Sequence, residues 1–134
     1  MPAVQIDLLE GRTEDQLRAI GDAVHEAMVQ TLAVPERDRF QIVTEHKPGR
    51  LDFNRSYLDI ERSDGFVLVR VTLASGRSTE TKQAFYARLS ELLAKRAGMR
   101  TEDLTVMLSE NEREDWSFGN GRASYAELPR EAWR

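Results

Sequence analysis

Pro2-Ala3-Val4-Gln5-Ile6-Asp7-Leu8-Leu9-Glu10-Gly11-Arg12-Thr13 is answered 65 positions later by Val67-Leu68-Val69-Arg70-Val71-Thr72-Leu73-Ala74-Ser75-Gly76-Arg77-Ser78. The same offset lays Ala19 on Ala84, Glu26 on Glu91, Asp38 on Asp103 and Glu45 on Glu110 without a gap. Conservative pairs lie between them: Ile6 with Val71, Val24 with Leu89, Met28 with Leu93, and Val43-Thr44-Glu45 with Leu108-Ser109-Glu110. Chance matches at one offset rarely keep a glycine, an arginine and a helix cap together, so the chain is an internal duplication. Each copy reads as an apolar strand, a glycine turn, a capped helix and a second strand, which is a β-α-β unit.

In the first copy the strand spans Pro2 to Leu8, and Thr13 with Gln16 three residues on forms a capping box that starts a helix. Leu17, Ile20, Val24, Ala27, Met28 and Thr31 or Leu32 recur at helical spacing, while Glu14, Arg18, Asp22 and Glu26 fall on the watered face. Pro35 ends the helix and holds Val34 extended, and Phe40 to Glu45 is the second strand. A short strand or hairpin is expected around Tyr57 to Ile60, between the turn residues Pro48, Gly49, Asn54 and Gly65. The second helix starts at Ser78, carries the stripe Phe85, Leu89, Leu92 and Leu93, and stops near Gly98 as C′ residue.

The fold expected is α+β, with two right-handed β-α-β units joined into a four-stranded mixed sheet and both helices on one face. One domain over 1–134 holds repeats at about 2–64 and 65–126 and a short tail containing Pro129 and Trp133 that packs on a neighbouring subunit or frays. Val67 to Leu73 reads as apolar enough to need cover on the opposite sheet face too, so the chain is expected to self-associate through it.

At 134 residues, 40% hydrophobic and 31% charged, the chain can bury a core unaided by metals or disulfides. The absence of cysteine excludes disulfides, thiolate metal sites and cysteine nucleophiles, and two histidines are too few for most histidine-rich metal sites. A net charge of −4 without a basic, aromatic-interleaved cluster argues against nucleic acid as a partner. No apolar stretch is long enough to span a bilayer and the start lacks a signal core, so no membrane association and a cytoplasmic location are expected.

Pro2 is the chemically unusual residue. Its small side chain permits removal of Met1, which would leave a secondary amine fixed at the end of a strand; an α-amino group titrates near about 7.7–8.0 before any environmental shift. Such an amine acts as a base when neutral, and as a proton donor or iminium former when charged. A proline at position two is by itself an ordinary start residue; the duplication and the polar residues at Asp38 and Arg77 give it weight.

Pro2, Leu8-Leu9-Glu10-Gly11-Arg12-Thr13 and Val43-Thr44-Glu45 together resemble the tautomerase superfamily, whose simplest members are single β-α-β units that begin at a catalytic proline. Val34-Pro35-Glu36-Arg37-Asp38-Arg39-Phe40-Gln41, His46-Lys47-Pro48-Gly49 and Asp115-Trp116-Ser117-Phe118-Gly119-Asn120-Gly121-Arg122-Ala123 resemble its malonate semialdehyde decarboxylase-like subgroup, a likeness that runs from Pro2 to about Tyr125. The resemblance implies a homotrimer without metal or organic cofactor, and assigns a cationic Pro2 that polarises the substrate carbonyl or forms an iminium, Asp38 as the group that supports that proline or orients a water, and Arg77 as the grip on a substrate carboxylate. Trp116, Phe118 and Tyr125 are the candidate apolar wall. The subgroup carries a second arginine where this chain has Ser75; a serine brings one hydrogen bond and no charge, which weakens carboxylate binding by about 1–3 kcal/mol.

Three functions follow as alternatives. A cofactor-independent decarboxylase or hydratase would act on a small 3-oxo acid such as malonate semialdehyde. An enol-keto tautomerase would act on a phenylpyruvate-like 2-oxo acid with Pro2 as base. A non-catalytic small-molecule-binding protein would use the same scaffold. Burial and the Arg77 charge lower the Pro2 pKa and Asp38 raises it, so the balance between them chooses between base and acid. Each residue also has a structural reading: Arg77 as a solvated turn residue like Arg12, Asp38 as a turn cap, Trp116 and Phe118 as core or interface aromatics, and His25 and His46 as structural side chains.

Overall fold

The computed structural model describes residues 2–132; Met1, Trp133 and Arg134 lie outside the described residues, and with them the removal of Met1 and the packing of Trp133. The strands are β1 (Ala3–Leu9), β2 (Gln41–His46), β3 (Val67–Ala74) and β4 (Leu104–Asn111), and the helices are α1 (Glu14–Leu32) and α2 (Thr79–Ala97). The sheet order is β2-β1-β3-β4. β1 runs parallel to β2 and β3 parallel to β4, and one antiparallel seam between β1 and β3 joins the units.

Helix starts and stops follow local chemistry and recur at the sequence offset. Thr13 Oγ1 accepts the Gln16 N–H at 3.2 Å while the Gln16 side chain accepts the Thr13 N–H at 2.8 Å, so two otherwise orphaned donors are satisfied. Ser78 repeats the cap on Thr81 at 3.1 Å. Both helices end in a left-handed residue, Gly98 at φ 63° bonding Leu93 and Ala33 at φ 56° bonding Met28. Glycine adopts this geometry freely; alanine pays for its Cβ with roughly 1 kcal/mol. A run of apolar residues then faces the helices from the sheet: Val4, Ile6 and Leu8 from β1 and Val67, Val69, Val71 and Leu73 from β3 are all buried. They meet Ile20, Val24, Ala27 and Met28 of α1 and Phe85, Leu89, Leu92 and Leu93 of α2 in one core cluster.

Four readings of the sequence change. No strand or hairpin forms at Tyr57–Ile60; Tyr57–Asp59 is a 3-10 turn in which Leu58 and Asp59 both have φ of 58°, a conformation that cannot continue a strand. Arg12 is not a solvated turn residue but is half-buried, donating from Nη2 to the Gly65 carbonyl at 2.8 Å. Glu26 does not simply face water: it pairs with Arg96 across the two helices, beside a 2.7 Å bond from Arg88 to Gln30. The open sheet face is mixed rather than apolar, because the apolar residues of β3 alternate toward the helices and bring Arg70 and Thr72 to the other side. At its centre Asp7 accepts from His46 Nε2 at 2.7 Å and from Arg70 Nη2 at 2.9 Å.

Burial alone would raise the Asp7 pKa, but the hydrogen bonds and charges of His46 and Arg70 outweigh it and hold the carboxyl below its ordinary value. A depressed carboxylate pKa contributes stability that is present above the unfolded value and is lost as pH falls through the folded one. Asp7→Asn is therefore expected to cost about 1–3 kcal/mol at neutral pH, with the gap to wild type closing as pH falls below about 4; urea midpoints across that range check it. Ala33→Gly, at an exposed position, is expected to raise stability by about 0.5–1 kcal/mol in the same assay, the relief of the left-handed alanine exceeding the added freedom of the unfolded chain.

Candidate functional site

Strand direction brings the site residues to one end of the sheet. Because β1 and β2 are parallel, the segment before β1 lies beside the turn before β2; because β3 is antiparallel to β1 and parallel to β4, the segments after β3 and β4 arrive there as well. The junctions are direct: Val4 N–H bonds the Phe40 carbonyl at 2.9 Å, Ala3 pairs with Thr72, and Ser75 N–H bonds the Asn111 carbonyl at 3.0 Å. Pro2, Asp38, Ser75, Arg77, Trp116 and Phe118 thus share an edge although 116 positions separate the first from the last.

Pro2 is buried at the head of β1. Asp38 is half-buried in a turn closed by its own N–H on the Pro35 carbonyl at 2.9 Å, and His25 Nε2 meets the neighbouring Glu36 carbonyl at 2.7 Å. Among the described residues no hydrogen bond or ion pair engages the Asp38 carboxylate, and none joins it to Arg77.

Arg77 grips backbone. Its Nε (3.1 Å) and Nη2 (2.8 Å) donate to the Leu32 carbonyl, and its Nη1 donates to the Ala74 carbonyl at 2.8 Å. Leu32 is the last residue of α1, whose final turn carries no basic residue, so Arg77 places its charge on the open negative end of that helix. Burial lowers the Arg77 pKa from its ordinary value and the Glu110 charge opposes this; the group stays cationic. Three of five N–H bonds are engaged, leaving one on each terminal nitrogen.

Ser75 Oγ donates to Glu112 Oε1 at 2.5 Å, so its one hydroxyl proton is already placed. Glu110, held below its ordinary pKa chiefly by the Lys82 ammonium, also accepts the Gly76 N–H at 2.8 Å and fixes the turn that carries Arg77. Ser75 and Arg77 line one cleft of about 690 Å³ together with Ala33 and Thr81. Phe40, Ala3 and Thr72 line a smaller one of about 380 Å³.

The three aromatics expected as a wall do meet. Trp116 stacks on Phe118 with centroids 5.3 Å apart and planes 9° apart, and Tyr125 meets Phe118 edge-on at 5.5 Å. Trp116 Nε1 donates to Asn111 Oδ1 at 2.7 Å, anchoring the cluster to the end of β4. Phe40 joins it at 6.3 Å from Phe118, a member that sequence reasoning missed. Its position directly before β2, at the Pro2 end, was the available signal; the partner 78 positions away was not.

A family model for tautomerase enzymes matches residues 38–119 and a second matches residues 2–51. The chain belongs to the tautomerase family and is an enzyme of that superfamily, an isomerase or a lyase. It is 39% identical over 127 residues to the probable tautomerase YusQ of Bacillus subtilis (strain 168), covering 95% of this chain and 100% of that one. It is similar in structure to a malonate semialdehyde decarboxylase with described decarboxylase and hydratase activities, at 39% identity and a TM-score of 0.87 over 93% of this chain and 96% of that one. A fused 4-OT solved as a symmetric trimer, at 23% identity and a TM-score of 0.75 over 94% of this chain and 99% of that one, shares the fold.

If Arg77 holds the α1 terminus as described, Arg77→Ala leaves two carbonyls without a charged donor. It is expected to lower stability by about 1–3 kcal/mol in urea denaturation, apart from any loss of activity; an unchanged midpoint would mean that those bonds carry no weight.

Proposed function

We propose that this protein is a cofactor-independent enzyme that uses Pro2, once Met1 is removed, to decarboxylate or hydrate a small 3-oxo acid such as malonate semialdehyde. What supports this reading is that strand direction brings Pro2, Asp38, whose carboxylate has no hydrogen bond or ion pair among the described residues, and Arg77, with three of its five N–H bonds engaged, to one sheet end. The remaining N–H on each terminal nitrogen of Arg77 suits a bidentate hold on the substrate carboxylate. Asp38 favours the protonated Pro2 amine, which donates to the 3-oxo oxygen as charge develops there. In decarboxylation the carboxylate–C2 bond breaks, carbon dioxide leaves, and the electron pair forms an enolate that is protonated at C2. In hydration the same donor gives its proton to the carbonyl oxygen as water attacks C3, and the proton lost by water restores the Pro2 ammonium, leaving the geminal diol. The Trp116, Phe118 and Tyr125 cluster would supply the apolar wall of the site, where lower polarity strengthens those charge interactions.

The second reading is an enol-keto tautomerase for a phenylpyruvate-like 2-oxo acid with neutral Pro2 as base. It is favoured by Ser75, whose hydroxyl is taken by Glu112, so that Arg77 alone supplies a cation to the carboxylate. A non-catalytic binding role on the same scaffold is the third. We further propose a cytoplasmic homotrimer in which the two repeats act as one domain and the mixed sheet faces pack together.

A panel of 3-oxo and enol-form 2-oxo acids on wild type and Pro2→Ala tests the proposal. Carbon dioxide release or hydration supports the first reading and ketone formation from the enol supports the second. Pro2→Ala is expected to lose at least about 100-fold in kcat/KM, the scale of a positioned acid or base. Activity unaffected by the substitution removes Pro2 from the mechanism, and a chain that turns over nothing in the panel and keeps Met1 is the binding protein.

A further inference from the structure

The second repeat contains a filled counterpart of the candidate site, and what fills it is the chain itself. At the offset of 65, Arg77 corresponds to Arg12, Asp38 to Asp103 and Pro2 to Val67. Local backbone geometry follows the same offset, since Asp38 N–H bonds Pro35 as Asp103 N–H bonds Arg100, and Val34 N–H bonds Met28 as Met99 N–H bonds Leu93. Yet the polar contacts differ. Asp103 is buried and accepts two hydrogen bonds from one residue, the Ser63 N–H on Oδ1 at 2.7 Å and the Ser63 hydroxyl on Oδ2 at 2.6 Å. Arg12 donates to the Gly65 carbonyl at 2.8 Å. The two ends are packed together, because a methyl on Gly65 would stand 2.9 Å from Asp103 Oδ2 and 3.6 Å from Arg12 Nη2.

Ser63-Asp64-Gly65-Phe66 therefore spans the aspartate and the arginine immediately ahead of Val67, the counterpart of Pro2. In the first repeat the matching places fall at Met1 and before it. On the reading above, in which the chain begins at Pro2, no peptide fills them. The partners of the first repeat differ accordingly: Asp38 has none for its carboxylate among the described residues, and Arg77 donates to the carbonyls of Leu32 and Ala74.

We infer that the Ser63–Gly65 segment occupies in the second repeat the place that substrate takes in the first, so that the ligand of the Asp38–Arg77 site carries a hydroxyl donor for Asp38 at one end and an anionic oxygen for Arg77 at the other. This rests on the proposed amino-terminal Pro2 and sharpens the ligand class of that site to the hydrated form of a short oxo acid, the product of the hydration step, which an unreactive hydroxy acid mimics. The two hydroxyls of a hydrated aldehyde match the paired N–H and O–H donors that Ser63 gives Asp103, and a carboxylate is a stronger acceptor for the arginine than the peptide carbonyl it replaces.

The test measures dissociation constants by NMR titration with unreactive ligands, 3-hydroxypropanoate and propanoate. Wild type is expected to bind the hydroxy acid at least about tenfold tighter, the scale of one hydrogen bond to a charged group. Asp38→Ala is expected to erase that preference while propanoate binding persists. A second variant carries Ser-Asp-Gly-Phe ahead of Pro2, copying residues 63–66; it is expected to fill the site and weaken 3-hydroxypropanoate binding at least about tenfold, whereas Ala-Asp-Gly-Phe, which lacks the hydroxyl, weakens it less. Equal binding of the two acids by wild type, a preference that survives Asp38→Ala, or equal effects of the two extensions overturns the inference. Because neither ligand reacts, these outcomes are independent of the Pro2→Ala activity loss, which tests the catalytic reading alone.

Discussion

The antiparallel seam between β1 and β3 is the constraint on which the site depends. Each unit on its own places the start of its first strand beside the start of its second, as parallel pairing requires. Joining the two units antiparallel through their first strands turns the finish of β3 and β4 toward the start of β1, and with it the turn at Arg77 and the aromatic run after β4. The seam is held by buried residues on its helix-facing side, where Val4 opposes Val71 and Ile6 opposes Val69. A slip of one residue would exchange those apolar side chains with Gln5, Asp7 and Arg70, so hydrophobic patterning fixes the register and the register fixes the site.

Duplication has left two sites with different fates. At the Arg12 end the chain is continuous and its own polar groups satisfy Asp103 and Arg12, which makes that end a clasp between Ser63–Gly65 and the start of β4. At the Arg77 end the corresponding aspartate lacks a partner among the described residues and the arginine caps α1 from outside. The same pairing of arginine and aspartate is thus closed by the chain's own groups in one copy and lacks such closure among the described residues in the other. On the proposed function Arg77 would both cap α1 and hold substrate, which would limit how freely it could be replaced.

The fold was legible because it is written in local signals that occur twice: the glycine turns, the Thr13 and Ser78 caps and the apolar stripes each constrain only a few neighbouring residues. The candidate site residues came from the repeat and the family resemblance, and the structure brings Pro2, Asp38, Ser75, Arg77, Trp116 and Phe118 to one sheet edge. Their partners were not legible. That Ser75 spends its hydroxyl on Glu112, that Arg77 binds Leu32 and that Phe40 closes the aromatic cluster are contacts between residues 37, 45 and 78 positions apart, set by tertiary packing rather than by any periodicity. Tyr57–Ile60 misled for the converse reason: its residue types suit a strand, but a backbone with positive φ at Leu58 and Asp59 turns instead, and Arg62 Nη1 secures it through the Tyr57 and Ile60 carbonyls at 2.9 and 3.1 Å.

On the proposed function the nitrogen at the head of β1 is a free, titrating amine. Nitrogen NMR of protein labelled at proline reads this directly. One proline nitrogen is expected to have the shift of a secondary amine, to move through a single protonation step as pH is varied, and to change its midpoint in Asp38→Asn. Only amide-type proline nitrogens, none of them changing with pH, would contradict it.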